Sequence, residues 1–157
     1  MATAVRPSKR HCHRHHTSED VFDAFLVRRR LPQEVVRIIE SFVIYVFKSN
    51  EELKQAVEEY CSEEREVKDK AMKQYGPISL WCTRNIMDMS GLFAFKYYFN
   101  EDISKWDTSS VTDMSRMFQQ ARAFNQPIGA WNTSSVTDMS KMFYEAEDFN
   151  QPIGQWD

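Results

Sequence analysis

Residues 106–130 read WDTSSVTDMSRMFQQARAFNQPIGA and residues 131–155 read WNTSSVTDMSKMFYEAEDFNQPIGQ, identical at 18 of 25 positions. A more divergent copy, WCTRNIMDMSGLFAFKYYFNEDISK at 81–105, keeps nine residues of the middle copy: Trp81, Thr83, Asp88, Met89, Ser90, Phe93, Phe99, Asn100 and Ile103. A tryptophan opens each copy, so Trp81, Trp106, Trp131 and Trp156 are 25 residues apart. A fixed period of this length predicts a solenoid, because one unit cannot bury its apolar side alone and must do so against its neighbours. A stack of this kind presents surface, which points to binding or structure before catalysis.

Each copy divides in two. In the middle copy Val111, Met114, Met117, Phe118 and Ala121 recur at helical spacing, which predicts a helix of about three turns. Ser110-x-x-Asp113, Ser135-x-x-Asp138 and Asn85-x-x-Asp88 are placed to cap it, with the carboxylate near its positive end. The remaining arc, Phe124-Asn125-x-x-Ile128-x-x-Trp131, holds Pro127 and Gly129 and reads as a short strand with bends. Equivalent strands would pair in parallel about 4.8 Å apart. The expected fold class is therefore an α/β solenoid of 25-residue coils, each a short strand plus a short helix, with a helical N-terminal cap.

Apolar residues at matching positions are expected to face inward in columns. The expected core is Trp81, Trp106, Trp131, Trp156, Met114, Phe118, Phe124, Ile128, Met139, Phe143, Phe149 and Ile153. Buried indole N–H groups need acceptors, and Asn100, Asn125 and Asn150 are expected to form a ladder satisfying backbone groups at the turn.

Working outward, Ile78 matches Ile103, Ile128 and Ile153, so the register starts before Trp81 and the repeat spans 78–157. It comprises copies 81–105, 106–130 and 131–155 and a truncated fourth from 156. Ser49-x-x-Glu52 is a capping box opening a helix through about Lys73, with Leu53, Ala56, Val57, Tyr60, Cys61 and Val67 on one side. Gly76-Pro77 stops it, and 49–77 reads as the helical cap that covers the first coil. Residues 18–48 form an N-terminal helical segment, and 1–17 a disordered, basic, His-rich tail. The array breaks off two residues into its fourth copy. This reads as a truncated gene or fragment whose open apolar edge invites self-association.

The 157 residues are 42% apolar and 13% aromatic, ample for a core. The formal charge of −3 is uneven: residues 1–49 hold nine Lys/Arg against five Asp/Glu, and 81–157 hold six against ten. An acidic repeat region disfavours nucleic acid as partner. Three cysteines, Cys12, Cys61 and Cys82, form no disulfide framework. The N-terminus lacks a signal peptide and no stretch is long enough for a membrane span, so the chain as written reads as soluble and intracellular, or its N-terminus has been mis-assigned.

The string W-[DN]-T-S-S-V-T-D-M-S-x-M-F-x-x-A-x-x-F-N-Q-P-I-G resembles the BspA-like leucine-rich-repeat surface proteins over 81–157. The resemblance implies a leucine-rich-repeat-like stack, a frequent surface location, and adhesion or protein binding rather than catalysis. A second, shorter resemblance is LPQEVVRIIESFV at 31–43, which is similar to the first helix of an F-box. That would make the chain an adaptor presenting substrates to a ubiquitin ligase through the repeats; an amphipathic helix packed on the solenoid is the plainer reading.

No catalytic, cofactor-binding or metal-binding residues are expected. HCHRHH at 11–16 lacks a rigid geometry or a second ligand cluster. Asp88, Asp113 and Asp138 are single carboxylates without the several close oxygens calcium requires. All four histidines lie in the tail, which leaves no nucleophilic triad. If the repeats bind a protein partner, of unknown identity, the candidates are the positions that change between copies. These include Arg116 and Lys141, Gln119 and Tyr144, Gln120 and Glu145, and Arg122 and Glu147, placed on or just after the expected helix.

Overall fold

The computed structural model describes residues 44–156. The expected tail at 1–17, most of the segment at 18–48 and the F-box-like helix at 31–43 lie outside the described residues. Two helices come first: α1, Asn50–Tyr60, and α2, Arg65–Tyr75. Ser49 caps α1, its Oγ accepting from the Glu52 N–H at 3.2 Å. The Glu52 carboxylate does not return to Ser49 as a full capping box would; it accepts from the Lys48 N–H at 2.7 Å and from the Tyr45 hydroxyl. Leu53, Ala56, Val57 and Tyr60, spaced one turn apart, form the buried face of α1. The single helix expected through about Lys73 is instead broken after Tyr60, where Ser62 Oγ accepts from the Glu64 N–H at 3.1 Å. A side-chain bond of this kind competes with helix continuation. α2 buries only Ala71 and Tyr75 and ends at Gly76.

The strand-plus-helix coil expected from the sequence is overturned. Among the described residues no α-helix follows α2 and no strand forms. A single 3-10 turn at Ile78–Leu80 precedes the first coil, and successive coils meet at isolated parallel bridges, Asp88 with Asp113 and Asp113 with Asp138. In place of the helix each coil runs through overlapping turns. In the middle coil Met117, Gln119, Ala121 and Phe124 donate N–H groups to the carbonyls of Met114, Arg116, Phe118 and Ala121, each three residues back. The intervening N–H groups of Met114, Arg116, Phe118 and Gln120 leave the coil. They donate to Asp138, Ser140, Met142 and Tyr144 at 2.8–2.9 Å. The first coil repeats the pattern, with Met89, Gly91, Phe93 and Phe95 donating to Asp113, Ser115, Met117 and Gln119.

An α-helix directs every interior N–H to its own carbonyl four residues back and has none left for a neighbour. Alternating donation satisfies both demands, and it requires a left-handed residue at regular intervals. Gly91, Arg116 and Lys141 have φ of 61°, 55° and 57°, and Phe95, Gln120 and Glu145 have 61°, 57° and 57°. The apolar spacing was misleading because positions 111, 114, 118 and 121 face inward in overlapping turns as they would in a helix; all four are buried.

Side chains add a second set of rungs. The buried Thr83 and Thr108 donate Oγ1 to the carbonyls of Asp107 and Asn132, both at 2.9 Å. Asn100 Oδ1 accepts from the Asn125 N–H at 2.9 Å, and Asn125 Oδ1 from the Asn150 N–H at 3.0 Å. Gln126 and Gln151 clamp the same two asparagines through Nε2. Tryptophan Nε1 donors reach back to carbonyls: Trp81 to Gly76, Trp106 to Ile78 and Trp131 to Ile103.

The core is aromatic and continuous. Phe93, Phe118 and Phe143 stack at centroid distances of 5.5 and 5.6 Å, and Phe99, Phe124 and Phe149 at 6.0 Å. Trp81 stacks on Trp106 at 6.1 Å and Trp131 on Trp156 at 6.4 Å. Of the residues expected in the core, Trp81, Trp106, Trp131, Met114, Phe118, Phe124 and Ile128 are buried. Met139, Phe143, Phe149, Ile153 and Trp156 are half-buried; they belong to the last described coil or its edge, where one side has no described neighbour.

At the other end, α1 and the segment before it cover the first coil. Asn50 Oδ1 accepts from the Met87 and Asp88 N–H groups at 3.1 and 3.2 Å. One coil later the Met87 carbonyl takes the Thr112 and Asp113 N–H groups in the same way. A side-chain amide thus stands where a preceding coil's carbonyl would. Val46 and Cys82 form a parallel bridge through the flanking bonds Phe47 N–H to Cys82 C=O and Cys82 N–H to Tyr45 C=O. Lys54 of α1 meets Asp88 at 3.1 Å, and Lys96 meets Glu58.

Candidate interaction surface

Stacking at a 25-residue step sorts the outward side chains into columns. The left-handed positions supply two of them, Gly91–Arg116–Lys141 and Phe95–Gln120–Glu145. Arg116, Lys141 and Glu145 are exposed and Gln120 is half-buried. Beside them run Ala94–Gln119–Tyr144, in which Tyr144 is half exposed, and Tyr97–Arg122–Glu147. The neighbouring Glu145 carboxylate holds the Tyr144 phenol above its ordinary pKa.

The structure brings only some of the expected binding residues together. Arg122 and Glu147 form an ion pair, Nε to Oε1 at 3.3 Å, and the Arg122 guanidinium lies 5.5 Å from the centre of the Tyr97 ring. With Tyr98, Ala123 and Asp148 these residues line an open hollow of ≈ 350 Å³. Arg116, Gln119, Gln120, Lys141, Tyr144 and Glu145 do not line it. Sequence reading missed Tyr97 and Tyr98, the latter 90% exposed, as well as the exposed Phe95 and Met87. A signal was present: KYYF at 96–99 replaces ARAF at 121–124, placing aromatic residues at surface positions that are charged or small in the other copies.

The repeated polar residues are engaged in building the stack. Asp88, Asp113 and Asp138 accept the N–H of the serine two residues on, at 2.7, 2.8 and 2.7 Å, so they open the turn segments rather than cap helices. Burial pushes the Asp88 carboxyl up, but the Ser90 hydroxyl and N–H together with Lys54 outweigh it and hold it below 3.8. Burial drives the Cys61 thiol up to about 11, which leaves it a poor nucleophile. Among the described residues no group of three or more His, Cys, Asp or Glu could hold a metal ion, and the HCHRHH run lies outside them.

Residues 64–157, all three coils and α2, match the family described as Mycoplasma protein of unknown function, DUF285. The chain belongs to this family. The BspA-like resemblance read over 81–157 falls inside the matched span, whereas the F-box-like helix falls outside it. No curated protein and no solved structure matches the chain. In this DUF285 member no described helix is long and apolar enough to cross a membrane.

Proposed function

We propose that the chain is a non-enzymatic protein-binding module of BspA-like type, suited to surface adhesion, in which repeated residues build the stack and varying columns contact the partner. The observation that carries this reading is the division of labour between polar residues. Thr83, Thr108, Asn100, Asn125 and the three turn-opening aspartates bond to backbone or neighbouring coils. Two of the columns that change between coils, Tyr97–Arg122–Glu147 and Tyr98–Ala123–Asp148, instead line an open hollow that includes the exposed tyrosines. Exposed aromatic residues with an arginine are the side chains that dominate protein interfaces. Weakly populated single-coil contacts are multiplied when columns repeat along a stack.

A photoreactive residue placed at position 98 or 144, compared with one at the exposed positions Lys105 or Pro127, tests the reading. Saturable protein adducts, competed by unlabelled chain, are expected from the first pair alone. Equal labelling from both pairs, or none that unlabelled chain displaces, overturns it.

A further inference from the structure

Two neighbouring columns in the hollow share their ends and differ in their middles. In the first, Tyr97, Arg122 and Glu147 follow at 25-residue steps, with the guanidinium 5.5 Å from the ring centre and 3.3 Å from the carboxylate. The second is Tyr98, Ala123 and Asp148: an aromatic ring, a methyl group and a carboxylate. Backbone bonds keep the two columns in register, Ala123 N–H to Tyr97 C=O at 3.0 Å and Asp148 N–H to Arg122 C=O at 2.9 Å. The Tyr98 ring is 90% exposed, and among the described residues the Asp148 carboxylate has no hydrogen bond or ion pair.

We infer that the second column receives its cation from outside: a lysine or arginine side chain of a basic peptide segment lies over Ala123, between the Tyr98 ring and the Asp148 carboxylate. This rests on the protein-binding reading above and names the chemistry of the partner. Coils stacked about 4.8 Å apart put the two ends roughly 10 Å from each other, the span that one guanidinium bridges in the first column. A cation over a tyrosine face is attracted by the ring quadrupole, and the carboxylate fixes its other side. Arg122 is neutralised by Glu147, so Asp148 leaves the hollow with one negative charge, within a repeat region of six basic against ten acidic residues. A phosphate-bearing polymer meets the wrong sign. A bare metal ion meets a single carboxylate where it needs several oxygens.

The probe is a fluorescein-labelled, acetylated penta-arginine amide, followed by polarisation with the full chain at low ionic strength. Asp148→Asn and Tyr98→Ser, both at exposed positions, should each weaken binding by about threefold to tenfold. Ala123→Arg supplies the cation from within and should abolish binding while leaving the melting temperature unchanged or raised. Gln155→Arg adds the same charge outside the hollow and should weaken binding less than about twofold, since it acts only through a screened field. Equal effects of Ala123→Arg and Gln155→Arg would mean diffuse attraction and overturn the site, as would binding unchanged by Asp148→Asn. If Ala123→Arg unfolds, the two exposed variants decide. If the peptide fails to bind while the position-98 adduct still forms, this inference fails and the protein-binding reading stands.

Discussion

At the scale of single residues, the stack distinguishes side chains that look alike in the repeat. Phe118 is fully buried between Phe93 and Phe143 and against Phe124, whereas Phe143 is half-buried. Phe118→Ala should cost about 3–5 kcal/mol by opening a cavity that the rigid rungs cannot close. Phe143→Ala should cost less, and urea denaturation of both variants compares them; equal costs would mean that burial does not set the penalty. The glycines divide in the same manner. A methyl on Gly129 would lie 2.3 Å from the Pro152 carbonyl oxygen, a backbone atom of the next coil, while at Gly154 nothing lies within 4 Å. Gly91 has room for a methyl but sits at φ 61°, where a side chain costs about 1–2 kcal/mol. Melting temperatures should therefore fall in the order Gly129→Ala, then Gly91→Ala, then Gly154→Ala, with the last near wild type. Arg116 and Lys141 tolerate the place that Gly91 occupies, so the Gly91 variant should fold.

At the scale of elements, the sequence showed where residues point better than how the backbone takes them there. The inward positions, the asparagine ladder and the tryptophan acceptors follow from period and polarity, because any stacked coil must bury the same columns. The coil's own conformation was hidden. Apolar spacing of three and four residues fits overlapping turns as well as a helix, and only the destination of the N–H groups separates them. Left-handed residues at Arg116, Gln120, Lys141 and Glu145 gave no signal, since none is glycine. Of the surface columns, Arg122 and Glu147 were legible because the last two copies differ there. Tyr97 and Tyr98 were missed because they lie in the divergent first copy. The asparagine ladder allows a direct measurement. Asn125 Oδ1 accepts from the Asn150 N–H and from Gln151 Nε2. Asn125→Ala removes that acceptor and should lower stability by about 1–2 kcal/mol, whereas Asn125→Asp retains an acceptor and should lose less. Equal losses on chemical denaturation would reduce the ladder to a shape requirement.

At the scale of the whole molecule, α1, α2 and the coils share one core cluster, so contacts at successive coil boundaries act in series on one folding unit. Carboxylates held below their ordinary pKa by serines two residues on predict that this unit loses stability in acid. Asp138 is held below its ordinary 3.8 by the Ser140 N–H and then its hydroxyl, and Asp102 by the Ser104 hydroxyl and then its N–H. Asp88 is held low in the same direction. A carboxyl whose pKa is lower folded than unfolded adds stability while it is ionised in both states. That stability is complete above the unfolded value, near pH 4, and disappears as pH falls through the folded value. The melting temperature should thus be flat from neutral pH to about pH 5 and fall below about pH 4. Protonation also relieves repulsion in the acidic repeat region, which acts in the opposite direction, so a fall means that the loss of carboxylate bonds outweighs that relief. Asp138→Asn supplies the separating control. An amide oxygen can open such a turn, as Asn132 does by accepting from the Ser134 N–H at 3.1 Å, but it does not titrate. The variant should fold at neutral pH and lose stability less steeply in acid; an acid slope matching wild type would remove Asp138 from the account.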